Sequence, residues 1–307
     1  MESTSVSLMR RSLPPAAGGP AVATCQDGGV RLPSTDGVEI EVHDLGGDGP
    51  SLLLCHATGF HGLVWRPFAT HLTDRFHLWS LDFRGHGLSS APDPARGFAW
   101  EGFADDVLAV VDGLGLERAA AVGHSKGGAA LLLAEAARPG TFSALWCYEP
   151  IVFEPVEGPL AARESGLAAG AARRRDTFPS RQDAIANYAS KQPLQVLHPD
   201  ALAAYVEHGF DERADGSVVL RCRPEHESQV YRIGGTHGGW AALPGVTCPT
   251  TIACGGPTAT IGAAMAARLA ARLPAGRVEV FDKLGHFGPL EDPAAVAAAV
   301  ARDLAGG

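Results

Sequence analysis

The sequence predicts an α/β protein with a mainly parallel sheet and helices on both faces of that sheet. The first observation is that short apolar segments alternate with helical segments from about Gly37 onward. The second is the stretch from Ala119 to Glu135, which reads as a strand, a tight turn and a helix. A chain of 307 residues is long enough to bury a large core, as one domain with an insertion or as two domains.

The tight turn carries the pattern G-x-S-x-G, with Ser125 at its centre. Between a strand and a helix this pattern indicates a nucleophile elbow, which exposes a serine oxygen at the rim of a sheet. Side chains at Gly123 and Gly127 would collide as the strand and helix approach each other. The start of the following helix offers backbone N–H groups to an anion. We therefore expect Ser125 to be a nucleophile.

A serine nucleophile needs a base, and His286 is the expected one. It follows the predicted strand Arg277–Phe281 and precedes the predicted helix Pro293–Leu304. Imidazole suits proton transfer because its pKa lies near neutral pH. The chain has 12 histidines, so the base has to be identified by its position relative to the predicted strands and helices. Apart from His124 beside the serine and His56, the others are expected mostly in loops or at the surface.

At these motifs the chain resembles the α/β-hydrolase superfamily over about Gly37–Leu304. The resemblance implies an eight-stranded, mainly parallel sheet with a helical lid inserted between two of its strands. Ala57 stands where the family usually has glycine. The four motifs that carry the resemblance are Ser51–Phe60, Leu81–Ser89, the elbow, and Leu284–Phe287 with Glu291–Pro293.

The resemblance also implies an oxyanion hole. Its donors would be the backbone N–H of Lys126, directly after the serine, and the backbone N–H of Thr58 in the loop after His56. His56 is expected to order that loop rather than to take a proton. The side chain of Lys126 is expected either in solvent or directed toward an anionic substrate.

The acid of the expected triad is missing from its usual place in the family. No carboxylate occurs from Thr247 through Leu273, and Thr258 stands near the expected position. Glu149 is the leading candidate because it follows the predicted strand Ser143–Tyr148. Some members of the superfamily, haloalkane dehalogenases among them, take their acid from the end of this strand. The alternatives are Asp282, Asp211 and no acid at all.

The domain organisation follows from the break in alternation after Pro150. We expect a flexible tail over residues 1–27, a core over 28–150 and 234–307, and a helical lid over 151–233. Within the lid we expect three helices, one turn and one short strand: Gly158–Thr177, Ser180–Lys191 and Pro199–Gly209, then Arg223–Tyr231, and Val218–Cys222. Aromatic side chains expected to contact a substrate are Phe153 and Tyr231 in the lid and Phe287 beside the histidine.

The formal net charge of −9 argues against nucleic acid and anionic membranes as partners. Arg173–Arg175 is expected to be a solvated basic face. The six cysteines form no C-x-x-C pair and are expected to be reduced in the cytoplasm. No segment is long enough to span a bilayer. No metal-ligand spacing or phosphate-binding loop occurs, so neither a metal nor a cofactor is expected.

These observations together predict hydrolysis of an ester, thioester or lactone of a small organic molecule through an acyl-enzyme. One alternative keeps the fold and changes the reaction to an elimination or a cleavage of a C–C bond. The other is a ligand binder without catalysis, against which the intact Ser125 and His286 count.

Overall fold

The computed structural model describes residues 29–155 and 166–304. A central eight-stranded sheet has the order β1-β2-β4-β3-β5-β6-β10-β11. β1 and β2 pair antiparallel. The remaining six strands of this order, β4, β3, β5, β6, β10 and β11, pair parallel with one another, which confirms the predicted sheet. The strands are Val30–Pro33 (β1), Glu39–Gly46 (β2), Ser51–Cys55 (β3), His77–Leu81 (β4), Ala120–His124 (β5), Ala144–Tyr148 (β6), Thr250–Gly255 (β10) and Gly276–Phe281 (β11).

Helices cover both faces of this sheet, as predicted. The two apolar clusters that they form with it are separate, and α2, α3 and α9 belong to one while α1 and α11 belong to the other. The helices are Arg66–Ala69 (α1), Trp100–Leu114 (α2), Lys126–Ala137 (α3), Gly166–Ala172 (α4), Arg181–Ala189 (α5), Pro199–Gly209 (α6), Pro224–Arg232 (α7), Gly239–Ala242 (α8), Ala263–Arg272 (α9), Gly288–Glu291 (α10) and Pro293–Leu304 (α11).

Strand β3 shows why the central strands are apolar throughout. Leu52 and Leu54 pack into one cluster, and Leu53 and Cys55 pack into the other. Successive side chains of a strand point to opposite faces, so a strand covered on both faces needs a continuous apolar run.

The parallel arrangement also brings predicted site residues to one edge of the sheet. Thr58, Ser125, Glu149 and Thr258 follow β3, β5, β6 and β10 respectively. The carboxyl ends of parallel strands lie at the same edge of the sheet, and ligands of open α/β sheets bind there.

Residues 166–232, here called the insert, lie between β6 and β10. The predicted helices at 180–191 and 199–209 correspond to α5 and α6. The predicted strand at 218–222 corresponds to Val218–Leu220 (β9). The prediction of a single strand is wrong, because Thr177–Phe178 (β7) and Phe210–Glu212 (β8) pair with β9 in an antiparallel sheet of the order β7-β9-β8. Strands of two or three residues are too short to show an alternating pattern.

Of two further predictions in this region, one is wrong and the other lies partly outside the described residues. The segment predicted as a turn at Arg223–Tyr231 is helix α7, which starts at Pro224, a residue favoured at the first helical position. The helix predicted at Gly158–Thr177 is described only from Gly166, and α4 ends at Ala172. The tail expected at residues 1–27 lies outside the described residues.

In the described ranges, no helix combines the length and apolar character needed to cross a membrane. The cysteines of those ranges are free and buried, at positions 55, 147, 222, 248 and 254. Cys25 lies outside them.

Candidate active site

Ser125 occupies a strained turn between β5 and α3. Its φ of 54° and ψ of −113° are unusual for a residue with a side chain, and such strain is concentrated at functional sites. The flanking glycines are required by space. A Cβ on Gly123 would lie 2.5 Å from the backbone N of Gly128, and a Cβ on Gly127 would lie 2.1 Å from the carbonyl O of Cys55. The turn therefore has the geometry of a nucleophile elbow.

Glu149 and His286 form a direct pair. Nδ1 of His286 donates to Oε2 of Glu149 at 2.7 Å, and the carboxylate is fully buried. The same carboxylate accepts from the Gly255 N–H at 3.0 Å, the Thr258 hydroxyl at 2.8 Å and the Ile261 N–H at 3.3 Å. An ionised carboxylate can only accept, so Nδ1 carries a proton, and in a neutral imidazole Nε2 is then the nitrogen with the free lone pair.

The loop that carries His286 is held on several sides. Oxygens of Glu291 accept from the backbone N–H groups of the residues before and after His286, at 2.9 and 3.1 Å. The hydroxyl of Tyr148 donates to the preceding carbonyl at 2.8 Å, and Nε2 of His124 donates to the carbonyl of His286 at 2.8 Å. These roles of Tyr148, His124 and Glu291 were not predicted from the sequence, although Glu291 belongs to the histidine motif.

Ser125 and His286 line one cavity of about 740 Å³, here called the active-site cavity. Within the described residues, the imidazole forms its hydrogen bond with Glu149 and none with Ser125. Nε2 of a general base is expected within hydrogen-bond reach of the serine oxygen, or somewhat farther from it without ligand, and this contact stays a prediction. Predicted residues that also line this cavity are Thr58, Phe153, Tyr231 and Phe287.

Of the two residues expected to supply oxyanion donors, Lys126 directly follows Ser125 and Thr58 lines the same cavity as Ser125. Lys126 is the first residue of α3, and no backbone hydrogen bond of the described chain uses its N–H or that of Thr58. His56 orders the Thr58 loop, because its Nδ1 donates to the Ala57 carbonyl at 2.7 Å and its Nε2 accepts from the Phe83 N–H at 3.0 Å. Burial holds the pKa of His56 well below its usual value.

The expectation that the Lys126 side chain is solvated or near a substrate is wrong. The side chain is fully buried and does not line the active-site cavity. Its amine lies 4.3 Å from the centroid of the Phe83 ring, 4.9 Å from that of Phe103 and 3.4 Å from Nε2 of His86. The two aromatic faces and one imidazole nitrogen replace the water that the amine loses on burial.

We expect the buried amine to make stability depend on pH. Burial lowers the pKa of Lys126 from 10.5 to about 7. Between these values the unfolded chain binds more protons than the folded chain, so stability rises with pH. The free energy of unfolding of the wild type, minus that of Lys126→Met, should increase by about 2 kcal/mol from pH 7 to pH 9. Urea unfolding at both pH values measures this difference.

The matched control for this prediction is Lys191→Met, which removes an exposed lysine. Its effect on the free energy of unfolding should be the same at both pH values. If the Lys126→Met difference is also independent of pH, the buried amine does not change its protonation in this range.

Other predicted positions differ from expectation because partners distant in sequence surround them. Arg174 is not part of a solvated face: it is largely buried in a 2.6 Å ion pair with Glu227. Among the alternative acids, Asp211 accepts from Arg221 at 2.8 Å and Asp282 is exposed. Neither is bonded to His286.

Three of the histidines expected in loops or at the surface are buried instead: His43, His61 and His86. Burial lowers the pKa of His61 to about 4, and its Nε2 donates to the Tyr205 carbonyl at 3.1 Å. A neutral, hydrogen-bonded imidazole is accommodated in a core without a counter-charge.

The chain is similar to known proteins over most of its length. Residues 52–299 match a family model described as the alpha/beta hydrolase family. The chain is 28% identical over 288 residues to the candidate carbamate hydrolase RutD of Caulobacter sp. strain K31, a match that covers 89% of this chain and 97% of the relative. It is 37% identical over 81 residues to 2-(acetamidomethylene)succinate hydrolase of Mesorhizobium japonicum, covering 26% of this chain and only 28% of that relative.

A solved structure of E-2-(acetamidomethylene)succinate hydrolase is similar to the structure described above. The TM-score is 0.77 at 24% identity, and the match covers 90% of this chain and 99% of that chain. At this identity the likeness shows the fold alone.

Proposed function

Because the chain belongs to the alpha/beta hydrolase family, we propose that it is a serine hydrolase acting through an acyl-enzyme. The proposed substrates are esters, thioesters or lactones of small organic molecules. The observation that carries this proposal is the 2.7 Å hydrogen bond between His286 and Glu149, with Ser125 lining the same cavity as the imidazole. Named relatives that are hydrolases support the general class of reaction.

In the proposed mechanism the Ser125 oxygen attacks the substrate carbonyl while Nε2 of His286 takes its proton. The backbone N–H groups of Lys126 and Thr58 hold the negative oxygen of the tetrahedral intermediate. Collapse of this intermediate breaks the bond to the leaving group, which receives the proton from His286. A water then attacks the acyl-enzyme with the same base, which releases the acid and restores Ser125.

Glu149 has the third role in this mechanism. Its carboxylate keeps the imidazole proton on Nδ1 and stabilises the imidazolium that forms when Ser125 is deprotonated. The three other donors to this carboxylate hold it in position, so the imidazole finds its acceptor already oriented.

The insert is proposed to act as a lid over this site. Tyr231 of the insert lines the active-site cavity, and Phe153 lines it from the segment leading to the insert. Phe287, beside the base, supplies a third aromatic surface. A lid of this kind excludes water and shapes the pocket. We also propose that the protein acts in the cytoplasm on a small molecule.

A second candidate is hydrolysis of an amide or a carbamate through the same steps. The names of two relatives favour it, because one names an acetamido compound and the other a carbamate. Elimination, C–C cleavage and simple ligand binding are the remaining alternatives. The experiment described next separates hydrolysis from these three.

A fluorophosphonate probe tests the proposal directly, because it labels only an activated serine. The wild type should be labelled on the peptide that contains Ser125, and Ser125→Ala should not be labelled. A panel of p-nitrophenyl esters, thioesters, lactones, anilides and carbamates then identifies the scissile bond. Labelling that is absent, or that persists in Ser125→Ala, would contradict the acyl-enzyme mechanism and favour a non-hydrolytic role.

A further inference from the structure

A second cavity of about 500 Å³ lies between the Thr58 loop and the insert. It adjoins the active-site cavity, because Thr58, Tyr231 and Phe287 line both. Ser125 and His286 line only the active-site cavity. A substrate bound at Ser125 can therefore extend past Thr58 into the second cavity.

The second cavity presents hydrogen-bond donors from the insert. Arg174 donates through one terminal nitrogen to Glu227 at 2.6 Å, and through the other to the hydroxyl oxygens of Tyr205 at 2.8 Å and Tyr188 at 3.1 Å. Arginine has no acceptor atom, so both tyrosine oxygens act as acceptors here. Their hydroxyl protons stay directed away from the guanidinium and can be donated to a ligand.

Thr58 contributes a further polar group at the junction of the two cavities. It is 4% exposed, and its hydroxyl is buried without a hydrogen-bond partner in the described chain. Buried hydroxyls are normally hydrogen-bonded. An acceptor on a substrate that passes from one cavity to the other would satisfy this group.

The charges of the second cavity favour an anion. Its described lining contains three cationic side chains, Arg174, Arg175 and Lys191, and one carboxylate, Glu227. Glu227 is matched by Arg174. Arg175 donates to a backbone carbonyl, and Lys191 donates to the side-chain oxygen of Asn187. Both of these partners are neutral, so two positive charges remain uncompensated among these lining residues.

The position of His286 decides which part of a substrate enters the second cavity. The imidazole gives its proton to the leaving group, and it lines only the active-site cavity. The leaving group therefore lies on that side, and the acyl part extends toward Arg174, Tyr188 and Tyr205. We propose that the acyl part of the substrate carries a carboxylate, which the second cavity binds. This inference rests on the proposed serine hydrolase function.

The test compares paired esters that differ only in this charge. The pairs are the mono-p-nitrophenyl esters of succinic, glutaric and adipic acid, each against its neutral methyl ester. In at least one pair the wild type should prefer the charged ester by about 10- to 100-fold in kcat/KM, as expected for hydrogen bonds to a charged group. In the variant Arg174→Met/Glu227→Gln this preference should fall several-fold, mainly through a higher KM for the charged ester. It should not vanish, because Arg175 and Lys191 keep their charges.

The double variant removes Arg174 and Glu227 together, so that no buried carboxylate is left unpaired. The matched control is Arg181→Met/Glu212→Gln, which removes an exposed ion pair elsewhere in the insert and should keep the wild-type preference. Tyr205→Phe, which keeps the ring and removes one donor, should lower the preference in part.

A binding measurement accompanies the kinetics. Glutarate should slow the labelling of Ser125 by the fluorophosphonate in the wild type, and dimethyl glutarate should slow it less. Equal kcat/KM within every pair, a preference that is undiminished in the double variant, or no selective protection by the dianion would overturn the carboxylate site. Absence of labelling at Ser125 would instead contradict the proposed function, so the two failures are distinguishable.

Discussion

Replacing Ser125 with alanine is expected to lower turnover by about 10⁵- to 10⁶-fold, as for serines of other catalytic triads. The variant keeps the two backbone donors and the cavity but has no oxygen to form the acyl-enzyme. Residual activity would come from a water molecule attacking a bound substrate beside the oxyanion donors. The measurement is kcat for the best ester of the panel, with the melting temperature recorded for the same preparation.

The melting temperature matters because Ser125 lies in a strained turn. Alanine and serine are similarly strained at a backbone φ of 54°, so the variant should fold and should melt close to the temperature of the wild type. Ser190→Ala, at an exposed helix end, is the control for an ordinary serine and should keep full activity. More than about a tenth of wild-type turnover in Ser125→Ala would rule out the acyl-enzyme.

Glu149→Gln is expected to lower turnover by as much as ~10⁴-fold, the loss seen when the carboxylate of a triad is neutralised. In this structure the glutamine would also place its NH₂ group against donors. Oε1 of Glu149 accepts from Gly255, and Oε2 accepts from Thr258, Ile261 and His286. With its NH₂ group at the Oε2 position the amide faces the Nδ1 proton of His286, which favours the wrong imidazole tautomer. With its NH₂ group at the Oε1 position the amide faces the Gly255 N–H, which disturbs the position of the side chain.

The effect of Glu149→Gln should appear in kcat, because the carboxylate stabilises the imidazolium of the transition state more than the resting imidazole. The measurement is kcat and KM for the ester used with Ser125→Ala. Wild-type kcat in Glu149→Gln would remove this residue from the mechanism and leave a Ser–His dyad or a non-hydrolytic reaction.

Thr258→Asp provides a second test of the role of the Glu149 charge. The Thr258 hydroxyl lies 2.8 Å from Oε2 of Glu149, so an aspartate added to the wild type would bring two carboxylates together and should lower activity. Added to Glu149→Gln, the same aspartate restores one negative charge beside His286 and should recover part of the lost kcat. If the aspartate lowers kcat in the wild type and raises it in Glu149→Gln, one negative charge beside His286 is needed and two are harmful.

The main features of the fold and of the Ser–His–Glu cluster could be predicted because they depend on short-range patterns. An elbow needs glycines two residues before and after the serine. The resemblance to superfamily members that take their acid from the end of β6 indicated Glu149, since the usual aspartate is missing. The burial of Lys126 and Arg174 could not be predicted in this way. Both residue types are usually solvated, and the partners that make burial tolerable, Phe83 and Glu227, are distant in sequence.

The position of Glu149 has a consequence for how this enzyme can change. In the proposed mechanism nucleophile and acid follow adjacent strands, joined by a 2.8 Å hydrogen bond from the Ser125 N–H to the Tyr148 carbonyl. The loop after β10, where the family resemblance places the usual acid, lines the cavity with Pro257, Ala259 and Thr260. Mutations at these three positions can alter which molecules fit, provided that the donors to Glu149 at Gly255, Thr258 and Ile261 are kept. Selectivity and catalytic power can therefore evolve separately, and this loop is the natural place to begin a directed-evolution library.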